Sequence, residues 1–122
     1  MRMKSDFLDL CFKAARKELH NQSIEWDDRF ALGVVMASKG YPEKYETGFP
    51  ISGIFEESSY VKVFHCGTKK ELNEIRSDGG RVLCVTGLGD SLNDAFNITY
   101  KATSKINWEG AFYRRDIGKR KQ

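Results

Sequence analysis

The stretch Gly79-Gly80-Arg81-Val82-Leu83-Cys84-Val85-Thr86-Gly87-Leu88-Gly89-Asp90 decides the fold. Its diglycine offers the positive backbone angles of a tight turn at no steric cost. Residues 82–86 form a short β-branched run with little polar content, the pattern of a strand covered on both faces. Gly87 and Gly89 then read as a sharp turn, with Asp90 as the helix cap whose carboxylate accepts backbone N–H groups. Leu92, Ala95, Phe96, Thr99 and Tyr100 follow at helical spacing. Turn, buried strand, turn and helix make a nucleus for the remaining chain, and Arg81 is the charged side chain at its mouth.

Upstream, residues 5–19 read as a helix capped by Ser5, with Asp6 and Asp9 near its positive end and Lys13, Arg16 and Lys17 toward its negative end. Phe7, Leu8, Cys11, Phe12, Ala15 and Leu19 form one apolar stripe, which predicts a surface helix packed on a sheet. Residues 24–38 carry a strand signal. Phe30, Leu32, Val34 and Met36 fall on one face, and the smaller Ala31, Gly33, Val35 and Ala37 on the other. Asp27 and Asp28 are neighbours, so on an extended chain they diverge and read as solvated or ion-paired rather than as an acid–base pair. Residues 39–53 are a long loop with both prolines and three interleaved aromatics, Tyr41, Tyr45 and Phe49; such loops are either functional or tightly packed. Residues 60–66 read as a strand on which His65 and Cys66 diverge, which excludes a nucleophile–base pair between them. Residues 71–77 read as a short exposed strand joined through Gly79-Gly80 to the central strand as a hairpin. Trp108, Phe112 and Tyr113 anchor the last segment around Gly110, and residues 119–122 read as frayed.

The 122 residues suffice for one domain with one core. Hydrophobic content of 40%, aromatic content of 12% and charged content of 30% are those of a globular chain. No apolar run approaches the ~20 residues that span a bilayer, and no secretory leader is evident, so a cytoplasmic setting without a membrane partner is expected. A net charge of +3 with acidic residues spread among the basic ones argues against a nucleic-acid partner. The three cysteines, Cys11, Cys66 and Cys84, are widely spaced and form no CxxC.

Most catalytic signatures are absent. Gly87-Leu88-Gly89 begins like a dinucleotide fingerprint, but Leu92 stands where the third glycine belongs. There is no Walker lysine, HExxH, carboxylate cluster at metal-ligand spacing or GxSxG elbow. What remains is a set of basic groups on glycine-rich turns: Lys39 before Gly40, Lys69 and Lys70 after Gly67-Thr68, Arg81 after the diglycine, and Arg114-Arg115. Arginine suits bidentate phosphate or carboxylate binding. Composition and spacing support an anion site and surface ion pairing equally, on an α+β domain.

Six motifs occur in one order: Trp26-Asp27-Asp28-Arg29, Ser38-Lys39-Gly40-Tyr41-Pro42, Phe64-His65-Cys66-Gly67-Thr68, Gly79-Gly80-Arg81-Val82-Leu83, Val85-Thr86-Gly87-Leu88-Gly89 and Phe112-Tyr113-Arg114-Arg115-Asp116-Ile117-Gly118. Together they resemble the C-terminal domain of the phosphoribosylamine–glycine ligases (glycinamide ribonucleotide synthetases) of the ATP-grasp superfamily, over nearly the whole chain. Glu43 and Cys66 stand where that family more often has glycine and alanine. The resemblance implies an α+β fold, an antiparallel sheet of the barrel-sandwich, rudiment-single-hybrid kind with two flanking helices, over residues 1–122 as a single domain. It implies part of an ATP-dependent carbon–nitrogen ligase of purine biosynthesis that joins glycine to 5-phosphoribosylamine. ATP and Mg2+ would serve the full enzyme without being bound by this chain, whose partner would be the upstream ATP-grasp portion, absent here. The isolated chain would be inactive, with no catalytic and no metal-ligating residue of its own. By analogy with a related purine ligase, Arg81 is the first candidate for the substrate phosphate, then Lys69, Arg114 and Arg115. Lys39, Gly40, Tyr41 and Pro42 are the candidate active-site loop. The alternative is a free-standing module binding a phosphorylated metabolite or a protein.

Overall fold

The computed structural model describes residues 1–119; the expectation for residues 120–122 lies outside them. The elements in order are α1 (Phe7–Ala15), a 3-10 turn (Leu19–Asn21), β1 (Phe30–Ser38), β2 (Val61–His65), β3 (Thr68–Glu71), β4 (Glu74–Ser77), β5 (Arg81–Gly89), α2 (Leu92–Thr103) and β6 (Ala111–Tyr113). The class is α+β, as expected. Four strands form an antiparallel sheet in the order β2-β5-β1-β6, and β3 and β4 form a separate two-stranded hairpin.

The central strand is longer than the apolar run predicts. Gly87 and Gly89 are not a turn: they continue β5, paired with Leu32 and Phe30. Their missing side chains serve a close approach instead. A Cβ at Gly87 would meet Thr99 Oγ1 and Ile98 Cγ2, and one at Gly89 would meet the backbone of Ala95 and Asp94. So α2 lies directly on bare strand backbone. The turn comes at Asp90-Ser91, and the cap is Ser91, whose hydroxyl accepts from Asp94 N at 3.1 Å. The contact is locked by Thr99, fully buried, whose Oγ1 accepts from Gly87 N at 3.0 Å and faces Leu32 O at 3.0 Å and Ala95 O at 2.7 Å. One hydroxyl thus ties α2, β5 and β1 together.

The alternation read in β1 holds for Leu32, Val34 and Met36, which are buried beneath α2 and the central core. Phe30 is exposed and residues 24–29 are not strand. The long loop and the two residues after it close the core edge with Phe49, Ile51, Ile54 and Phe55. The expected hairpin from residues 71–77 into the central strand does not form. Residues 68–77 fold on themselves as β3–β4, and β5 pairs with β1 and β2.

The first helix departs furthest from expectation. Its cap is Asp6, whose carboxylate accepts from Leu8 N and Asp9 N, whereas Ser5 Oγ accepts from Glu25 N at 2.8 Å. Far from packing on the sheet, α1 buries no residue. It is tethered through its flanks. Met3 pairs with Trp26, Lys4 N donates to Glu25 O, and Asp27 N donates to Arg2 O. Asp27 then anchors the approach to β1: its carboxylate accepts from Arg29 N, Nε and Nη2 at 3.0, 3.0 and 2.7 Å. These bonds to Arg29 hold the carboxyl well below the usual carboxylate range.

Replacing Thr99 by valine should keep the volume but strip the buried hydroxyl bonds. It is expected to lower unfolding stability by about 1–3 kcal/mol, read as a lower denaturant midpoint at unchanged slope. For Asp27, a folded-state pKa below the unfolded value of about 3.9 means the stabilisation is complete above that pH and is lost as pH falls below it. Asp27→Asn should therefore flatten the acid limb of a stability–pH curve below about pH 4; an unchanged limb would remove the pair from the acid transition.

Candidate functional site

Three turns meet at the end of the sheet where β1 finishes and β5 begins. After β1, Ser38 N donates to Gly80 O at 2.8 Å and Ser38 Oγ to Gly79 O at 2.9 Å. After β2, Cys66 N and Gly67 N both donate to Val82 O at 3.0 Å, and Asp78 N donates to Gly67 O at 2.8 Å. Lys39 N donates to Gly110 O at 2.8 Å, which brings the turn before β6 to the same place.

Gly79-Gly80 does not supply positive backbone angles, contrary to expectation; the described glycines with positive φ are Gly40, Gly48, Gly53, Gly110 and Gly118. What the diglycine supplies is clearance. A Cβ at Gly80 would run into the Tyr41 ring, and Gly79 lies against Gly67, whose own Cβ would be 2.7 Å from Arg81 O. Tyr41, after Gly40 at φ +93° and before Pro42 in a cis peptide, thus folds its ring over the diglycine. The loop Lys39–Pro42 and the turn before Arg81 form one packed unit.

The register explains where Arg81 points. From Leu32↔Gly87 to Met36↔Leu83 the β1–β5 ladder is regular, but Ala37 pairs with Arg81, not Val82. Val82 is the extra residue of a β-bulge. In an unbroken strand Arg81 would share the phase of Leu83 and Val85, both fully buried. The bulge shifts it by one residue, and directly opposed residues share a face. Arg81 therefore joins Ala37, and Ala37 also opposes Phe112 of β6. This is the sheet face away from α2, where Val35, Phe64 and Phe112 are exposed. Gly33, Val35, Ala37, Tyr41, Phe112 and Arg114 line a groove of about 330 Å³ there. Beside it Ser38, Lys39, Gly40, Lys44, Glu46, Glu109 and Gly110 border a wider cleft of about 710 Å³.

The sequence-predicted residues divide by charge pairing. Among the described residues no ion pair engages Arg81, Lys39 or Arg115, all exposed. Lys69 lies on the β3–β4 hairpin, 3.5 Å from Glu71. Arg114 is held by Asp116 through two bonds of 2.9 and 2.5 Å. Both of these charges are answered locally. Burial pushes the Cys66 thiol up, Cys84 adds to this, and the positive charge of Arg81 offsets part of it. Lys44, Glu46 and Glu109, which border the same cleft as Lys39, were not anticipated; the positive φ of Gly110 leaves no mark in the sequence beyond the glycine itself. No group of three or more His, Cys, Asp or Glu among the described residues is arranged to hold a metal ion. No helix among them is long and apolar enough to cross a membrane.

Residues 31–120 match the family model described as phosphoribosylglycinamide synthetase, C domain. The phosphoribosylamine–glycine ligase of Allochromatium vinosum is 50% identical over 121 residues, covering 98% of this chain and 28% of that protein. The ligase of the same name from Escherichia coli K12 is 47% identical over 97% of this chain and 28% of its own length. A crystal structure of phosphoribosylamine–glycine ligase from Thermotoga maritima superimposes with a TM-score of 0.75 at 30% identity, covering 91% of this chain and 27% of that one. The chain thus spans 28% of the length of the curated relatives.

Gly80→Ala tests the packing of the two loops. The added methyl must displace the Tyr41 ring, with an overpacking cost of about 1–3 kcal/mol. Faster hydrogen exchange at the Ser38 and Lys39 amides is expected; unchanged protection would mean that the ring does not organise the loop.

Proposed function

We propose, because this chain belongs to the phosphoribosylglycinamide synthetase C-domain family, that it is the part of a phosphoribosylamine–glycine ligase that closes the active site and binds the substrate phosphate. The reaction of such a ligase joins glycine to 5-phosphoribosylamine at the expense of ATP, in purine biosynthesis and in the cytoplasm. ATP with Mg2+ supplies activation of the glycine carboxylate as an acyl phosphate, which the amine attacks. That chemistry is assigned to the upstream ATP-grasp portion. The described residues offer no metal cluster, and no step given to this chain runs through nucleotide or metal.

The observation that carries the reading is the bulge-directed Arg81, exposed beside the Tyr41 loop and without an ion-pair partner among the described residues. An arginine with no carboxylate partner has its five donors free for a phosphate. Lys39 and Arg115 likewise have no ion-pair partner among the described residues and assist by charge. Lys69 and Arg114 contribute less, since each must first leave its carboxylate. The Lys39–Pro42 loop shields the reacting groups from water, which strengthens every charge interaction beneath it. The chain orients and encloses; it supplies no nucleophile and no general base.

An assay of ADP release with glycine and phosphoribosylamine should find the 122-residue chain inactive by itself and active once the upstream portion of a relative is added. Activity of the lone chain would contradict the division of labour. In the reconstituted enzyme Arg81→Ala should weaken phosphoribosylamine binding by about 1.5–3 kcal/mol, the range for a hydrogen bond to a charged group, while Arg114→Ala does less. A Michaelis constant untouched by Arg81→Ala would remove Arg81 from the site.

A further inference from the structure

We propose that the apolar stripe of α1, built from Phe7, Leu8, Cys11 and Phe12, is the surface on which the upstream portion of the ligase docks. This rests on the functional reading above and adds to it where the two portions meet. The helix is turned inside out with respect to its own domain. At ~100° per residue Phe7, Leu8, Cys11 and Phe12 share one face, and Leu10 falls on the opposite side. Yet Leu10 is half-buried, while Phe7, Leu8 and Phe12 are 67, 75 and 58% exposed. Lys13, bonded to Asp9 at 2.6 Å and Gln22 at 2.8 Å, turns the polar flank toward the following segment. The stripe is held in this orientation by the paired flanks at Met3–Trp26 and Lys4–Glu25. A fixed helix with its apolar face outward marks an interaction site.

The occupant follows from the extent of the matches. The C-domain family model begins at residue 31, so α1 lies outside it. The Allochromatium vinosum ligase nevertheless aligns with 98% of this chain, α1 included, and this chain accounts for only 28% of that protein. The helix therefore has a counterpart in chains that carry a large further portion, and that portion is the partner with which α1 travels. A second copy or a lipid surface would also cover an apolar stripe, but the matches tie neither to this segment.

Cys11 is an exposed free thiol on the stripe and reports its coverage. The whole 122-residue chain is substituted for the matching part of the Allochromatium vinosum ligase, and iodoacetamide labelling of Cys11 is compared with that in the chain alone. Labelling slowed at least tenfold in the fusion is expected; equal rates overturn the proposal. Should the fusion fail to fold, the same protection is read on mixing the chain with the separately made upstream portion. Labelling of the lone chain that slows with its own concentration, or on adding phosphatidylglycerol vesicles while the fusion shows no protection, assigns the face to a second copy or to lipid and overturns it. Phe12→Glu should lower the melting temperature of the fusion by several degrees and leave that of the lone chain unchanged; an equal effect on both contradicts docking. Ligase activity separates the two readings. An inactive fusion with protected Cys11 sinks the function and supports the docking surface, whereas an active fusion with freely reacting Cys11 does the reverse.

Discussion

The fold depends on the close approach of α2 to the bare backbone of β5 at Gly87 and Gly89. Any side chain at either position would occupy space held by α2. The approach buries Ala95, Thr99, Ala102 and Thr103 and lets one threonine hydroxyl serve two strands at once. It also fixes an asymmetry. One face of the four-stranded sheet is closed by the helix and the long loop; the other keeps Gly33, Val35, Phe64 and Phe112 at the surface.

That asymmetry divides the labour within the domain. The closed face carries the core, and the open face presents Arg81 at its end. The β-bulge at Val82 is the hinge between the two, because it moves Arg81 from the phase of the core residues to the phase of Ala37 and Phe112. A regular strand would have had to bury the guanidinium or disrupt the ladder. Charge pairing then sorts the basic residues. Lys69 and Arg114 are answered by Glu71 and Asp116, whereas among the described residues Arg81 and Lys39 are left unanswered at the end of the sheet where three turns are packed together.

Much of this is written in the residue order. The alternation of Leu32, Val34 and Met36 in β1 and the spacing of α2 depend only on local periodicity, and they survive in the structure. Gly87 and Gly89 misled because glycine marks both turns and close approaches; only the position of α2 tells which. The diglycine misled for the same reason, its role being clearance for Tyr41 and not backbone angle. The β3–β4 hairpin was missed because, in its two-residue turn Leu72-Asn73, the positive φ of +55° falls on Leu72, a residue type that gives no turn signal. The α1 stripe was legible as apolar but not as unpartnered, since amphipathicity says that a face will be covered and not by what. The phase of Arg81 was illegible, because a bulge is a property of a strand pair. The motifs around it nevertheless carried the family resemblance that the matches establish.

In the proposed function this chain contributes shape and positive charge to a pocket whose other wall belongs to the upstream portion. Titration calorimetry of the 122-residue chain with glycinamide ribonucleotide tests this directly. Half a pocket should give no binding in the micromolar range, with affinity emerging only when the upstream portion is present. Micromolar binding by the chain alone would show a complete site within these residues and contradict the account.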